Sequence, residues 1–290
     1  MARFLARLVA RNDRWAKPFG EFNHRWLSAL FRPIRPVKDF LNGTWLGHPL
    51  HPAATDVPIG AFLVALVLDL ASQGQAAFWA LVVGQVTFAA SAVTGLADYT
   101  DTDASARTRA TIHGTVMVVG GGLTAISLIL RQGGTVDGLP QTILLILGFL
   151  IVTAGAYIGG DVVYVFGNMV NRHAFRGAGT KWIRLDTGAH ADLASLPEST
   201  PTRMKVGIND LVVVRIGDAI HAMHNVCAHA GGPLAEGTVV DGCIECPWHG
   251  SRFRLTDGVA RRGPSVYDQP SYEIRPTEGG AGYEVRRVNR

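Results

Sequence analysis

The chain has 290 residues, a formal net charge of +4, 48% hydrophobic residues and 17% charged ones. At roughly 100 to 200 residues per domain, this length predicts about two domains. The charge excess lies in residues 1–56, which carry nine Lys/Arg against four Asp/Glu, whereas residues 181–290 carry thirteen of each sign. Because no basic motif interleaved with aromatic residues is visible, a nucleic-acid partner is not expected.

Residues 1–44 are predicted to form a basic N-terminal arm. Arginines alternate with apolar residues such as Trp15 and Trp26 at a spacing of three to four. This pattern favours a helix lying on an anionic membrane surface, although an amphipathic helix packed on another domain also fits it. The apolar run is too interrupted for a secretory signal. Pro33 and Pro36 are expected to end helical structure.

Residues 45–170 are predicted to be a four-helix transmembrane domain. The apolar segments near 57–72, 76–97, 112–130 and 143–160 have the composition of membrane helices, and polar stretches separate them. A soluble helical bundle is the alternative. Gly155 and Gly159 form a G-x-x-x-G motif, which permits close helix approach within the bundle or in a homo-oligomer.

The distribution of basic residues predicts the orientation. With four spans, the N-terminal arm, the 98–111 stretch and the C-terminal domain lie on one side of the membrane. That side carries the arm's arginines together with Arg107 and Arg109, and the other side carries only Arg131. The positive-inside rule therefore predicts a multi-pass protein of the inner (plasma) membrane, with its N-terminus and C-terminal domain in the cytoplasm.

The membrane part has a histidine motif, His48-Pro49-Leu50-His51-Pro52, ahead of the first span, and His113 opens the third. With the later stretches GLADY and GGDVVYVFG, this part resembles a four-helix membrane family of unknown function. Imidazoles from two helices can ligate a b-type haem, and His51 with His113 is the predicted pair. A proton or quinone role, and a purely structural role, stay open for these histidines.

Residues 181–290 are predicted to be an all-β domain that follows a polar linker at 171–180. Short β-prone runs are broken by Asn-Asp, Gly-Asp and Asp-Gly turns, as expected for a β-sandwich. The runs lie at 211–216, 219–225, 239–246, 251–255 and 283–288. The overall fold class is therefore an all-α transmembrane bundle joined to an all-β domain.

Four residues of ligand type lie in this domain. Cys227-x-His229 is followed, after sixteen residues, by Cys246-x-x-His249. One thiolate and one imidazole on each arm suit a [2Fe-2S] cluster whose irons differ in ligand type. A tetrahedral zinc site uses the same residue types and is the alternative, although zinc spacing normally pairs Cys with Cys and His with His. Cys243 is expected to be a small buried residue and no ligand.

On these motifs the chain resembles the Rieske ferredoxin-type family over about residues 181–290. The resemblance implies that Cys227 and Cys246 hold one iron, while His229 and His249 hold the other at an edge near the surface. It also implies that the hydroxyl of Ser251 reaches a cluster sulfur.

The chain departs from the family pattern at three positions. Gly232 and Trp248 stand where quinol-oxidising members carry a disulfide, and Phe253 replaces a tyrosine. With Cys243 the only other cysteine, no intramolecular disulfide is expected once the ligands are assigned, which suits a reducing compartment.

These features predict a membrane-anchored Rieske iron–sulfur protein that carries single electrons between a donor and an acceptor. No nucleotide-binding glycine loop and no 2-His-1-carboxylate motif is visible, so a complete catalytic site of its own is not expected. The expected partners are redox proteins or quinone, and membrane lipid. Two other functions stay open: a subunit of a quinol- or haem-linked oxidoreductase with a second redox site in the bundle, and a non-enzymatic redox sensor or assembly module.

Overall fold

The computed structural model describes residues 9–132, 138–175, 181–188, 190, 192–280 and 282–288. These residues form two compact units. The helical unit extends to Asn168 without the short segment Gly43–His48, and the β unit combines that segment with the chain from Met169 onward.

The helical unit contains six described α-helices, and the last four are long and apolar enough to cross a membrane. This confirms the predicted all-α part with four spans. The helices extend beyond the predicted apolar segments, so His51 lies in the first turn of the third helix and His113 lies well inside the fifth. They are α1 Asp13–Phe31, α2 Arg35–Asn42, α3 Leu50–Leu70, α4 Gly74–Tyr99, α5 Ala104–Gln132 and α6 Leu139–Gly160.

The N-terminal arm forms α1 and α2 with a short break between them. The expectation that both prolines end helical structure is wrong, because α2 includes Pro36 near its start, where the missing N–H costs no helical hydrogen bond. One face of α1 packs on the bundle: the Tyr99 hydroxyl donates to the carbonyl of Gly20 at 2.9 Å. Another face leaves Trp15, Phe22 and Trp26 exposed. The arm therefore packs on the bundle and still presents aromatic residues outward.

Most charges inside the helical unit are paired. Arg131 Nη1 lies 2.6 Å from Asp69 Oδ1, and Thr142 donates to the other oxygen of that carboxylate at 2.6 Å. Lys38 Nζ lies 2.5 Å from Asp101 Oδ1, with both side chains buried. Since a buried charge is costly without a partner, the first pair ties α3 to α5 and the second ties α2 to the turn between α4 and α5.

The β unit consists of two antiparallel sheets, in agreement with the predicted all-β domain. One sheet has the strand order β1-β10-β9-β4-β3-β2, and the other has the order β5-β6-β7-β8. The strands are β1 Ile183–Leu185, β2 Thr202–Val206, β3 Asn209–Ile216, β4 Ala219–His224, β5 Thr238–Val240, β6 Cys243–Glu245, β7 Arg252–Arg254, β8 Ala260–Arg262, β9 Ser271–Pro276 and β10 Tyr283–Arg287.

Strand β3 is buried on both faces because it lies between two separate hydrophobic cores of this unit. Because side chains alternate along a strand, Val212 and Val214 point into one core, and Leu211 and Val213 point into another. The first core also contains Ile244 and Phe253 of the small sheet, together with Cys227 and Cys246. The two cysteines thus belong to the apolar layer that joins the two sheets.

Candidate metal centre

The first loop of the candidate site follows β4 and begins at Cys227. Its backbone is closed by two hydrogen bonds, from Cys227 N to Gly232 O at 2.9 Å and from Gly231 N to Cys227 O at 3.0 Å. Gly231 has φ +91°, a conformation that favours glycine because a Cβ would clash with the backbone.

The second loop connects β6 to β7 and repeats this pattern. Cys246 N donates to Ser251 O at 2.8 Å, and Gly250 N donates to Cys246 O at 3.0 Å. Gly250 has φ +74°. In both loops the cysteine bonds the residue five positions later and the glycine four positions later. Two equivalent loops therefore present the two Cys/His pairs.

The four side chains meet in pairs of the same type. The thiols of Cys227 and Cys246 are within hydrogen-bonding distance of each other. The imidazole rings of His229 and His249 lie with their centroids 4.9 Å apart at an interplanar angle of 86°. Among the described residues, no three His, Cys, Asp or Glu side chains surround one point that could hold a single ion.

Backbone amides are directed at both sulfurs. The pKa of Cys246 is lowered to about 7, because the Cys227 thiol donates a hydrogen bond to it and the amides of Trp248 and His249 donate as well. The hydrogen bond between the two thiols raises the pKa of Cys227, although the amides of His229 and Ala230, which also donate to its sulfur, act to lower that pKa. Amide donors of this kind favour a negatively charged sulfur.

Exposure at the site is concentrated on the second loop. Cys227, Cys246 and His229 are each no more than 3% exposed, while Trp248 is 54% exposed and His249 is partly buried. The predicted surface edge is therefore formed by His249 and Trp248, whereas His229 is buried.

Gly232 lies where the sulfur leaves no room for a side chain. A Cβ at this position would be 2.9 Å from Cys246 Sγ and 3.0 Å from the Trp248 ring. All three cysteines are free. Cys243 pairs with Arg254 across β6 and β7, and burial raises its pKa.

Ser251 connects the second loop to a third loop, which contains Gly263, Pro264 and Ser265. Its Oγ accepts a hydrogen bond of 2.9 Å from Ser265 N, next to the Gly263-Pro264 peptide. The Ser251 side chain is 1% exposed. The hydroxyl oxygen thus serves as an acceptor for the third loop, and its own hydrogen remains available to another acceptor.

Two residues that support the first loop were missed from the sequence. The side-chain amide of Gln269 donates to the carbonyls of His224 and Val226 at 2.5 and 2.8 Å, and its oxygen accepts from Ala228 N at 2.8 Å. His173 also bonds the Val226 carbonyl, at 2.8 Å. No motif marks Gln269, and His173 falls in the predicted linker, so no sequence signal identified either residue.

The two histidines predicted as a pair in the membrane part are brought together in the helical unit. The ring centroids of His51 and His113 are 6.4 Å apart at an interplanar angle of 74°.

Two equivalent loops with paired thiols and imidazoles, set on an antiparallel β domain, define a ferredoxin-type iron–sulfur domain. Residues 188–273 match the model of the Rieske [2Fe-2S] domain, and residues 47–172 match that of a predicted membrane protein family (DUF2231).

The chain is similar to several ferredoxins. The ferredoxin subunit of anthranilate 1,2-dioxygenase from Burkholderia cepacia is 37% identical over 82 residues, which are 28% of this chain and 76% of the relative. Ferredoxin CarAc of Metapseudomonas resinovorans is 35% identical over 26% of this chain and 70% of its own length. The solved ferredoxin of carbazole 1,9a-dioxygenase from Nocardioides aromaticivorans IC177 is 28% identical with a TM-score of 0.31, over 38% of this chain and 99% of that one.

The chain belongs to the Rieske [2Fe-2S] family, and in it the Rieske domain is fused to a domain that matches the predicted membrane protein family. Its C-terminal domain is homologous to electron-transfer ferredoxin subunits of dioxygenases. Membership implies a [2Fe-2S] cluster.

Proposed function

We propose that this protein is a membrane-anchored carrier of single electrons, in which Cys227 and Cys246 bind one iron of a [2Fe-2S] cluster and His229 and His249 bind the other. The observation that carries the proposal is the pairing of side chains by type, thiol with thiol and imidazole with imidazole, across two equivalent loops. When bound, such a cluster accepts and returns one electron at a time, with family potentials of roughly −150 to +300 mV.

The chain's own residues prepare the site for a negatively charged group. Amides of both loops donate toward the cysteine sulfurs, and the absence of a side chain at Gly232 leaves space beside Cys246. Gln269 holds the first loop through three hydrogen bonds. Together these contacts hold the two sulfurs and the start of the first loop in place.

The partner is a redox protein that docks at the exposed edge of the second loop. The Trp248 indole is more than half exposed and lies 6.5 Å from the His249 ring, measured between centroids. Large aromatic side chains are enriched in protein interfaces. The relatives are ferredoxins, one named as a subunit of anthranilate 1,2-dioxygenase, so an oxygenase or its reductase is the kind of partner proposed.

The membrane part anchors the carrier, with the arm and the β unit on the cytoplasmic side of the inner membrane. Positive charge in the arm supports this orientation, and the exposed aromatic residues of α1 suit contact with lipid. A reporter that folds only in the cytoplasm, fused after Arg290, is expected to be active, whereas activity of a periplasmic reporter at that position would contradict the orientation.

Metal analysis tests the cluster. Full-length protein purified in detergent without oxygen is expected to contain two irons and two acid-labile sulfides per chain, and to show the low-g Rieske EPR signal after reduction. Zinc in place of iron and sulfide would overturn the proposal in favour of a tetrahedral zinc site.

A second candidate is a haem-linked oxidoreductase subunit, in which the bundle carries another redox site. The facing imidazoles of His51 and His113 favour it.

A further inference from the structure

Each of the two facing histidines in the bundle sits in a defined hydrogen-bonding position. His51 Nδ1 lies 2.9 Å from the carbonyl of Ser91 and 3.3 Å from Thr94 Oγ1. The Thr94 hydroxyl itself donates to the Ser91 carbonyl, so its oxygen is free to accept. His113 Nδ1 lies 2.8 Å from the carbonyl of Gly155.

These contacts determine the tautomer of both rings. A carbonyl oxygen can only accept, so Nδ1 must carry the hydrogen in each case, and the neutral ring keeps a lone pair on Nε2. Within the part of the chain that the structure describes, neither His51 Nε2 nor His113 Nε2 makes a hydrogen bond. Histidines that bind metals characteristically donate their other ring nitrogen to a backbone carbonyl in this manner.

Each imidazole ring packs closely against a glycine of the neighbouring helix, where a side chain would not fit. A Cβ at Gly95 would be 2.8 Å from His51 Cε1, and a Cβ at Gly159 would be 2.9 Å from His113 Cε1. Gly95 lies one helical turn after Ser91, whose carbonyl accepts from His51 Nδ1. Gly159 likewise lies one turn after Gly155, whose carbonyl accepts from His113 Nδ1. The hairpin α3–α4 and the hairpin α5–α6 thus present one imidazole each by the same device.

The separation of the rings fits a single metal between them. A metal–nitrogen distance of about 2 Å places the ring centroids of a linear histidine–metal–histidine unit about 6 Å apart, and the observed value is 6.4 Å. No third His, Cys, Asp or Glu joins these two among the described residues. Any further ligands must therefore come with the cofactor, and a haem brings four pyrrole nitrogens.

A partly buried cation lies near this position on the same helix. Arg109 is one turn before His113, with a side chain that is 12% exposed. Its Nη1 is buried without a hydrogen bond among the described residues, and the carboxylate of Asp161 is 4.0 Å away. A haem carries propionate groups, and a buried guanidinium is a suitable partner for a carboxylate.

We infer that His51 and His113 are the two axial ligands of one b-type haem in the core of the α3–α6 bundle. Bundle cores are a common place for cofactor sites built from facing helices. This assignment uses only residues of the helical unit and goes beyond the cluster proposed for the β unit.

The test uses full-length protein purified in detergent and titrated with haemin. A six-coordinate low-spin spectrum at one haem per chain is expected, measured by visible absorption and by pyridine haemochrome. His51→Ala and His113→Ala are each expected to lose the low-spin spectrum and at least tenfold in haem affinity, whereas His221→Ala in the β unit retains both. The Rieske EPR signal, recorded on the same samples, reports separately on the cluster in the β unit, and the helical content measured by circular dichroism shows whether the bundle of each variant is folded.

A second pair of variants separates ring placement from general packing. Gly95→Ala forces the His51 ring to move and is expected to weaken haem binding, while Gly122→Ala, whose Cβ would meet nothing within 4 Å, leaves binding unchanged. An unchanged low-spin haem spectrum in both histidine variants would overturn the inference. Failure of the folded wild-type protein to bind haem would overturn it as well.

Discussion

The two units present their candidate ligands in different ways. In the β unit, four donors come from two short loops, and each loop places a cysteine and a histidine within four residues of one another. In the helical unit, His51 and His113 are brought together only by the packing of two helical hairpins. Spacing along the chain therefore reveals the first site, whereas the second depends on the packing of helices that are distant in sequence.

The largest effect is expected from removing a single sulfur in the local site. Cys246→Ser is expected to abolish the Rieske EPR signal, because the iron proposed to bind Cys227 and Cys246 loses one of its two thiolates. Cys243→Ser is the matched control, since Cys243 lies on the same strand system but pairs with Arg254. Loss of the signal in the control would show that the loops are wrongly assigned.

The helical unit is expected to be vulnerable at its buried ion pairs. Arg131→Met leaves the Asp69 carboxylate buried without its partner, and breaking such a pair costs about 3 to 5 kcal/mol of stability. A lower thermal unfolding midpoint in detergent is the expected result. The double variant with Asp69→Leu removes both charges and is expected to recover most of the loss; no recovery would argue that the pair itself is unimportant.

A smaller effect is expected where the β unit depends on a distant residue. Gln269→Leu removes the hydrogen bonds to the carbonyls of His224 and Val226 and from Ala228 N. The Val226 carbonyl keeps its bond with His173, and a buried group left unsatisfied, such as Ala228 N, costs about 1 to 3 kcal/mol. We expect the cluster absorbance to be lost at a lower temperature than in the wild type. His221→Ala, at a partly buried position outside the loops, serves as the control, and an equal shift there would deny Gln269 a specific role.

The smallest effect concerns the potential of the proposed cluster. Ser251→Ala removes a hydroxyl that is expected to donate to a sulfur, and one hydrogen bond corresponds to a decrease of a few tens of mV. Ser265→Ala keeps the backbone N–H that bonds Ser251 and is expected to leave the potential close to wild type. A voltammetric measurement that finds no decrease for Ser251→Ala would show that the hydroxyl does not reach a sulfur.

The sequence predicted what depends on local pattern. Apolar runs identified the four long helices, alternation and turn residues identified the β domain, and the two Cys/His motifs identified the loops. It also predicted His51 with His113, because both flank apolar segments that were expected to begin on the same side of the membrane.

Features that depend on distant contacts were not predictable. The pairing of Asp69 with Arg131 joins residues 62 positions apart, and Gln269 reaches a loop 41 positions upstream. The role of Pro36 was also misjudged. It was expected to end a helix, but a proline is tolerated in the first helical turn. In each case the deciding interaction lies outside any window of neighbouring residues.

The repeated backbone pattern of the two loops has a consequence for the rate of electron exchange. Each loop closes on itself through the same two hydrogen bonds around its cysteine, so the polypeptide itself holds the backbone that carries the donors. Preorganised donors need little reorientation when charge changes. We therefore expect a small reorganisation energy for the protein, which would allow rapid transfer to a partner of similar potential.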